Sequence, residues 1–304
     1  MSDDYAMTCP APGGPEIFEK RPIDVPAPGP GEALIRHTAI GLNYLDTYHR
    51  SGLYPWPVER DLVPGSDGAG VVEAVGEGVT LVAPGDRVAY TLPFNAYSTR
   101  RTVPADRLVP IPEGVSDADA ASLMIKGLTA HYLLHSTFPV GEGTVLLNHA
   151  GAGGVGLILG QWLATKPGLT AIATAGGPEK VALARAAGYH HVIDYRAEDF
   201  VARVREITGG AGCHVVYDSV GRDTWRGSLQ CLRPRGMFVT FGQSSGPIEG
   251  FGLGDLAAGG SLFATRPTLF NHVATREELD RRAREMFALV AEGRLKANVN
   301  QEFP

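Results

Sequence analysis

The sequence predicts an α/β protein with two domains. One is rich in β-strands and barrel-like, and the other is a parallel sheet doubly wound by helices. The chain has 304 residues, which exceeds the size at which one hydrophobic core usually keeps growing. Short apolar runs broken by proline and glycine continue to about Pro112, and strand and helix patterns alternate after about Ala118. We therefore predict a first domain over residues 1–120, a second over 121–265, and a return of 266–304 to the first.

The first domain is predicted from short strands separated by turn residues. The runs 33–39, 70–75 and 87–90 have strand composition, and Pro84-Gly85-Asp86 is typical of a turn. Strands this short, with frequent proline and glycine between them, favour a compact barrel-like domain.

The second domain is predicted from a regular alternation of strands and helices. Strands are expected at 144–147, 170–174, 192–193, 215–217 and 237–241, and helices at 155–164, 179–187, 200–208 and 225–231. Pro178 suits the first position of a helix, and Gly188 suits its C-terminal cap. A last strand is predicted at 261–265. A final helix is predicted from a capping box, Thr275 with Glu278, to a stop at Gly293.

A glycine-rich run, residues 148–156 (Asn-His-Ala-Gly-Ala-Gly-Gly-Val-Gly), lies between the first of these strands and the helix that follows. Glycines let the backbone turn sharply and approach a pyrophosphate, and the helix start offers N–H groups and a positive dipole end. Such a run alone also fits an ordinary turn. Its position between strand and helix favours a Rossmann-type nucleotide site at Gly153, Gly154, Val155 and Gly156.

The end of the second strand indicates which dinucleotide binds. This position usually has an acidic residue when the adenosine ribose keeps a free 2′-hydroxyl. Here the strand leads into Gly176 and Gly177 without a carboxylate, Lys180 follows one turn later, and Tyr195 follows the third strand. An ammonium and a phenol would hold a 2′-phosphate that a carboxylate would repel. We predict NADP(H), although Lys180 also fits a solvated helix residue.

Composition and charge argue against several other classes of protein. The net charge of −6 does not favour a nucleic acid or membrane partner. The N-terminus, Met-Ser-Asp-Asp, lacks the features of a signal peptide, and the apolar segments are too short to span a bilayer, so a cytoplasmic location is expected. The scattered cysteines Cys9, Cys213 and Cys231 predict neither a disulfide framework nor a thiolate zinc site.

Further motifs connect the chain with a known family. They are residues 39–43 (Ala-Ile-Gly-Leu-Asn), 46–48 (Asp-Thr-Tyr), 50–55 (Arg-Ser-Gly-Leu-Tyr-Pro), 84–88 (Pro-Gly-Asp-Arg-Val), 126–129 (Lys-Gly-Leu-Thr), 217–221 (Tyr-Asp-Ser-Val-Gly), 241–246 (Phe-Gly-Gln-Ser-Ser-Gly) and 265–267 (Thr-Arg-Pro). With the glycine run, they resemble the medium-chain dehydrogenase/reductase superfamily. The resemblance is specifically to its zinc-free quinone oxidoreductase branch of bacterial NADPH:quinone reductases and zeta-crystallin-like proteins.

The resemblance implies a GroES-like catalytic domain beside the Rossmann-type domain, and a reaction without metal. Zinc alcohol dehydrogenases of this superfamily have a cysteine ligand about where Asn43 stands and a His-Glu pair around Ser66 and Asp67. Without those ligands a tetrahedral catalytic zinc is not expected. Family members usually continue past the position of Pro304 with a helix and a strand, so the resemblance also implies a truncated C-terminus.

The implied reaction is reduction of a quinone by NADPH in a zinc-free interdomain cleft. Quinones accept hydride readily, so positioning of the cofactor and stabilisation of the oxyanion can suffice. The residues expected to act on the substrate are Asn43, Tyr48 and Tyr54, although each tyrosine also fits a packed aromatic and Asn43 also fits a turn. The alternatives are a 2-alkenal or enone reductase, and a non-catalytic zeta-crystallin-like NADPH-binding protein.

The resemblance extends the set of expected cofactor-binding residues and implies a homodimer. The further cofactor contacts are expected from Asn43, Asp46, Tyr48, Lys126, Thr129, Ser219, Phe241, Ser244 and Arg266. The predicted strand 261–265 would pair with its copy across a twofold axis. Histidines His131, His135 and His149 are interpreted as structural, with His149 bracing the glycine-rich loop.

Overall fold

The computed structural model describes residues 4–303, which form two compact units. Unit 1 comprises residues 4–128, His272–Gly293 and residues 297–303, and unit 2 comprises Thr129–Asn271 and Arg294–Lys296. The divisions at 128/129 and 271/272 lie later than the predicted divisions at 120/121 and 265/266. The first division falls inside one continuous helix, residues 117–132, so no loop marks it in the sequence.

Unit 1 is built on two antiparallel sheets. Its strands are β1 (Tyr5–Thr8), β2 (Glu19–Pro22), β3 (Glu32–Ile40), β4 (Asp67–Val75), β5 (Arg87–Thr91), β6 (Arg100–Pro104) and β7 (Val109–Pro110). β1 and β2 form a hairpin, and the other five follow the order β6-β3-β4-β5-β7. Their inward side chains share a core that includes Ile35, Val72, Tyr90 and Val103. The predicted β-rich first domain is confirmed, and its strands are longer than predicted.

Among the described residues, three α-helices begin in unit 1, and a fourth begins in unit 2 and ends at His272 of unit 1. They are α1 (Tyr44–Arg50), α2 (Asp117–Tyr132, continued by a π-turn at Leu133–Thr137), α8 (Leu269–His272) and α9 (Arg276–Ala291). The predicted N-cap of α9 is confirmed, because the Thr275 hydroxyl accepts the N–H of Glu278 at 3.2 Å. Gly293 follows the helix with φ of +69°.

Unit 2 is a parallel six-stranded sheet with helical crossovers. Its strands are β8 (Val145–Asn148), β9 (Thr170–Ala175), β10 (His191–Asp194), β11 (Cys213–Asp218), β12 (Leu232–Thr240) and β13 (Phe263–Thr265). The helices are α3 (Gly154–Ala164), α4 (Pro178–Ala186), α5 (Phe200–Ile207), α6 (Trp225–Gln230) and α7 (Leu253–Ala258). The strand order β10-β9-β8-β11-β12-β13 is that of a doubly wound Rossmann-type sheet, as predicted.

This strand order fixes where a ligand can bind in unit 2. The order reverses between β8 and β11, and loops that leave the carboxyl ends on either side of such a point diverge and leave a crevice.

Pro178 opens α4 and Gly188 follows it with φ of +104°, as predicted. β12 begins at Leu232, five residues before the predicted position. Within residues 4–303, no helix combines the length and apolarity that crossing a membrane requires.

Candidate active site and dinucleotide-binding turns

The glycine turn, residues 148–156, connects β8 to α3. Gly153 is the N-cap of α3, and Ala150 has a positive φ of +55°. A Cβ at Gly156 would overlap the carbonyl oxygen of Ala150, so only glycine allows the turn to close this tightly. The start of α3, where backbone N–H groups lack intrahelical partners, therefore lies at the carboxyl end of β8.

Neighbouring strands hold the glycine turn from both sides. The N–H of Gly151 donates to the carbonyl of Thr174 on β9 at 2.8 Å, and the N–H of His149 donates to the carbonyl of Tyr217 on β11 at 2.9 Å. The buried Tyr189 hydroxyl donates to the carbonyl of Gly156 at 2.8 Å. Its pKa is raised by burial, so it stays protonated as a donor.

The second turn, residues 175–180, follows β9. Gly177 has φ of +90°, and a Cβ at Gly176 would crowd the hydroxyl of Tyr195 and the guanidinium of Arg196. The predicted residues Lys180 and Tyr195 follow this turn and the next strand, and Arg196, which was not predicted, lies beside Tyr195 against Gly176. Lys180 lies exposed in the first turn of α4, and Tyr195 is 52% exposed. A phenol, a guanidinium and an ammonium thus follow the ends of adjacent strands.

A carboxylate does lie beside the second turn, but it comes from the third strand. Asp194 at the end of β10 accepts the N–H groups of Gly177 and Arg196, each at 3.0 Å. These backbone N–H groups lower the pKa of Asp194. Oδ1 of Asp194 therefore holds the second turn through its backbone.

The loops after β11 and β12 bring together the remaining predicted residues of unit 2. The N–H of Ser244 donates to the carbonyl of Ser219 at 3.1 Å, and the N–H of Phe241 donates to the carbonyl of Asp218 at 2.9 Å. Arg266 follows β13 and donates to the side chain of Gln243 at 3.2 Å. Thr129, also predicted, is buried in α2. Ser219, Phe241, Ser244 and Arg266 therefore all lie at the carboxyl ends of β11–β13.

In unit 1, Asn43 is the N-cap of α1 and belongs to a buried group of polar side chains. This acid network consists of Asn43, Asp46, Ser66, Asp67 and Tyr97. The Asn43 backbone N–H donates to Asp46 at 2.8 Å, and its amide Nδ2 donates to Asp67 Oδ1 at 2.7 Å. Asn43 Oδ1 is buried with no hydrogen-bond partner among the described residues. The side-chain amide of Asn43, which was predicted to act on the substrate, thus already has one N–H group engaged.

Asp46 is held by donors from three directions. Besides Asn43, it accepts the hydroxyls of Ser66 at 3.1 Å and Tyr97 at 3.0 Å. Burial raises the pKa of Asp46 to about 6 in spite of these donors. With 4% of its surface exposed, Asp46 supports the start of α1. Its predicted direct contact with a cofactor stays a prediction.

Asp67 lies where the family resemblance led us to look for a zinc ligand, and both of its oxygens are engaged. Oδ1 accepts from Asn43, and Oδ2 accepts the N–H of Ile125 at 3.0 Å. Burial raises the pKa of Asp67, and the positive charge of Lys126 opposes that rise. Lys126 itself donates to the carbonyl of Leu42 at 3.2 Å. This predicted cofactor-binding lysine therefore lies next to the acid network.

Tyr48 and Tyr54 belong to a series of packed aromatic rings. The ring centroids of Tyr44 and Tyr48 are 5.7 Å apart, because the two residues lie one turn apart on α1, and those of Tyr48 and Tyr54 are 5.2 Å apart. Tyr48 is nearly buried, whereas Tyr54 is half-buried. The structure thus brings the two predicted tyrosines into contact, with Asn43 one residue before α1.

The other residues considered as chemical groups are two histidines in contact with an aromatic ring and three buried cysteines. The rings of His131 and His135 lie 4.6 Å apart, and both pack edge-on against Trp162. All three cysteines are buried and free. Burial raises the pKa of Cys9 to about 11 and that of Cys213 to about 12, so these thiols are not nucleophiles at neutral pH.

Comparisons with known proteins extend over almost the whole chain. Residues 29–113 match the family "Alcohol dehydrogenase GroES-like domain", and residues 154–287 match the family "Zinc-binding dehydrogenase". The quinone oxidoreductase of Pseudomonas aeruginosa is 49% identical over 292 residues, which covers 96% of this chain and 89% of that protein. The 2-haloacrylate reductase of a Burkholderia species is 46% identical, with coverage of 96% and 89%.

A solved structure gives the same result for the fold. The structure of Escherichia coli quinone oxidoreductase complexed with NADPH matches with a TM-score of 0.93 at 43% identity, covering 97% of this chain and 90% of that one. The GroES-like and Rossmann-type domains predicted from the sequence are therefore confirmed. This chain belongs to the medium-chain dehydrogenase/reductase superfamily and, within it, to the quinone oxidoreductase family.

Proposed function

We propose that this protein is an NADPH-dependent quinone reductase that works without a catalytic zinc. The observation that carries the proposal is the second turn, where no acid ends the second strand. Tyr195 and Arg196 lie against Gly176, and Lys180 follows in the first turn of α4. Donors of this kind suit a 2′-phosphate. The relatives named quinone oxidoreductase, one of them solved with NADPH, support the same assignment.

The glycine turn fits the diphosphate of such a cofactor. Its close backbone contacts at Gly156 leave no room for a Cβ, and the N–H groups at the start of α3 suit negatively charged oxygens. The nicotinamide half is proposed to bind at the carboxyl ends of β11–β13, to the residues Ser219, Phe241, Ser244 and Arg266. When bound, NADPH supplies the hydride.

The residues of unit 1 are proposed to bind and orient the acceptor. Tyr54 is half-buried and offers a flat aromatic face for a quinone ring and a hydroxyl donor for its oxygen as negative charge develops, with the buried Tyr48 packed against it. Asn43 and Lys126 flank the start of α1 and are proposed to position rather than to transfer a proton. In place of a metal site, Asn43 and Asp67 bind each other.

The test is a titration of the protein with NADPH and with NADH, followed by steady-state assays with 1,4-benzoquinone and naphthoquinones. We expect much tighter binding of NADPH and turnover that survives exhaustive chelation. Zinc that copurifies and is required for turnover would overturn the metal-free mechanism. NADPH binding without transfer to any acceptor would favour the non-catalytic alternative.

A second candidate is reduction of an activated carbon–carbon double bond. It is favoured by the 2-haloacrylate reductase that is 46% identical to this chain. Parallel assays with 2-alkenals and 2-haloacrylates separate the two candidates. Good turnover of these compounds, with none of any quinone, would replace the leading proposal.

We further propose that the protein forms a homodimer through strand β13. This strand lies at the end of the sheet order and pairs with β12. Phe263 on it is 58% exposed, and Leu253 on α7 is 82% exposed, so an apolar edge is available for a second copy. Light scattering at micromolar concentration tests this, and a monomeric mass would contradict it. The cytoplasmic location stays a prediction from the sequence.

A further inference from the structure

Beneath the dinucleotide-binding turns of unit 2 lies a chain of four buried polar side chains. This polar chain consists of Thr174 on β9, His149 after β8, Ser228 on α6 and Asp218 at the end of β11. Each is at most 2% exposed. Thr174 Oγ1 lies 2.9 Å from His149 Nδ1, His149 Nε2 lies 3.0 Å from Ser228 Oγ, and Ser228 Oγ lies 2.7 Å from Asp218 Oδ2.

The direction of every hydrogen bond follows from Asp218. Its oxygens accept the backbone N–H groups of Val220 at 2.8 Å and Gly221 at 3.0 Å, and also the hydroxyls of Thr224 and Ser228. Backbone N–H groups can only donate, so Asp218 is the acceptor in this group of contacts. The single hydroxyl proton of Ser228 is therefore directed at Asp218.

Because that proton is committed, the Ser228 oxygen can only accept from His149. This requires a proton on His149 Nε2 and leaves Nδ1 as the acceptor of the Thr174 hydroxyl. Burial lowers the pKa of His149, which agrees with a neutral ring. Every hydrogen bond in the polar chain is therefore donated in the same direction, from Thr174 to His149, from His149 to Ser228 and from Ser228 to Asp218. We call this direction the polarity of the chain.

We propose that this directional chain sets the relative positions of the glycine turn, the second turn and the loop after β11, which makes Thr174 and Ser228 positioning residues for the cofactor. His149 belongs to the glycine turn, Thr174 precedes the second turn, and Asp218 fixes the turn at Val220 and Gly221. The functional part of the inference rests on the proposed function. The polarity itself does not.

The first test measures the His149 tautomer in the ligand-free protein by 15N NMR of labelled imidazoles. The signal is assigned by its loss in His149→Gln. We expect a proton on Nε2 in the wild type. In Asp218→Asn the new amide would donate to Ser228, so Ser228 would donate to Nε2 and the proton would move to Nδ1. A wild-type ring protonated on Nδ1, or on both nitrogens at neutral pH, would overturn the polarity.

The second test compares Thr174→Val, which removes the hydroxyl from a side chain of similar shape, with Thr174→Ser, which keeps it. We expect the Kd for NADPH to rise about three- to tenfold in the valine variant and to change less than twofold in the serine variant. The kcat at saturating NADPH should stay unchanged in both, because Thr174 is not proposed to touch reacting atoms. Equal Kd values for the two variants would overturn the positioning role.

A ligand-free measurement separates this inference from the proposed function. Amide hydrogen exchange at Gly151, whose N–H donates to the backbone carbonyl of Thr174, should be faster in Thr174→Val than in Thr174→Ser. Equal exchange in the two variants would contradict the positioning role whether or not NADPH binds. Failure of the wild type to bind NADPH, with the expected exchange difference intact, would overturn the proposed function alone.

Discussion

The glycine turn of unit 2 and the acid network of unit 1 shape their sites in opposite ways. The glycine turn relies on the backbone: missing side chains let the chain fold back on itself at Gly156, and the helix that follows presents N–H groups. The acid network relies on side chains, with Asp46 and Asp67 buried among donors from distant segments. One site is specified by consecutive residues and the other by long-range contacts.

The difference has an energetic side. Buried carboxylates pay a desolvation penalty that only their hydrogen bonds offset, so the acid network is sensitive to protonation and to the loss of any donor. The glycine turn carries no titratable group of its own apart from His149. We therefore expect mutations in the turn to change cofactor binding, and mutations in the network to change stability and its dependence on pH.

The largest effect is expected at the glycine turn. Gly156→Ala would place a Cβ against the carbonyl of Ala150 and the backbone of Gly151. Opening the turn should weaken NADPH binding on the order of 100-fold and lower the free energy of unfolding by about 2 to 4 kcal/mol. Titration and denaturant unfolding measure both quantities.

The matched control is Gly254→Ala on helix α7, where a Cβ meets nothing within 4 Å. A Gly-to-Ala change in an exposed helix should stabilise by about 0.5 to 1 kcal/mol and leave the Kd for NADPH unchanged. If Gly156→Ala behaved like this control, the tight backbone of the glycine turn would not be what binds the cofactor.

We expect the acid network to make the free energy of unfolding depend on pH. The folded pKa of Asp46, about 6, lies above its ordinary value of 3.8, so the folded state binds more protons between these two values. Protonated Asp46 therefore stabilises the folded state at low pH by about 3 kcal/mol at most. This stabilisation is lost as the pH rises through about 6. The negative charge of the nearby Asp67 also raises the pKa of Asp46.

This is measured as the difference in unfolding free energy between the wild type and Asp46→Asn from pH 4 to pH 7. We expect the wild type to lose stability relative to the variant as the pH rises. Asp106→Asn, which changes an exposed carboxylate of the same unit, serves as the control and should show no such trend. A flat difference for Asp46→Asn would mean that its carboxyl group titrates normally.

The same contrast explains what the sequence alone could predict. The alternation of strands and helices, the cap at Thr275 and the glycine turn all depend on neighbouring residues, and each was predicted close to its observed place. Helix α1 was missed because its seven residues, Tyr-Leu-Asp-Thr-Tyr-His-Arg, form no apolar stripe and include weak helix formers. The capping pair Asn43 and Asp46, three residues apart, was the signal that could have located it.

Two features of the candidate site could not be read from local patterns. The acid network connects Asp46 with residues 20 and 51 positions away, and nothing in those segments indicates the pairing. The turn-holding carboxylate, Asp194, comes from the third strand rather than the second. Arg196, in contrast, follows Tyr195 directly, so a basic residue just after the third strand was a local signal that could have located it.

A smaller effect tests the cofactor preference assigned to the second turn. Arg196→Ala and Lys180→Ala should each raise the Kd for NADPH about tenfold and leave the Kd for NADH nearly unchanged, because each removes one cation from the proposed 2′-phosphate site. Lys166→Ala, beyond the end of α3, is the control of equal charge change. If the Kd values for NADPH and NADH rose equally in the Arg196 and Lys180 variants, these side chains would attract the cofactor through their general charge and would not contact the 2′-phosphate.

The smallest effect is expected for the tyrosine hydroxyls of unit 1. Tyr54→Phe keeps the ring contact with Tyr48 and removes one donor, so kcat with a quinone should fall about three- to tenfold with little change in the Kd for NADPH. Tyr54→Leu removes the flat ring as well and should also raise the KM for the quinone. If Tyr54→Phe kept full activity while Tyr54→Leu lost it, the tyrosine would act through its ring alone, and stabilisation of the oxyanion would fall to another donor.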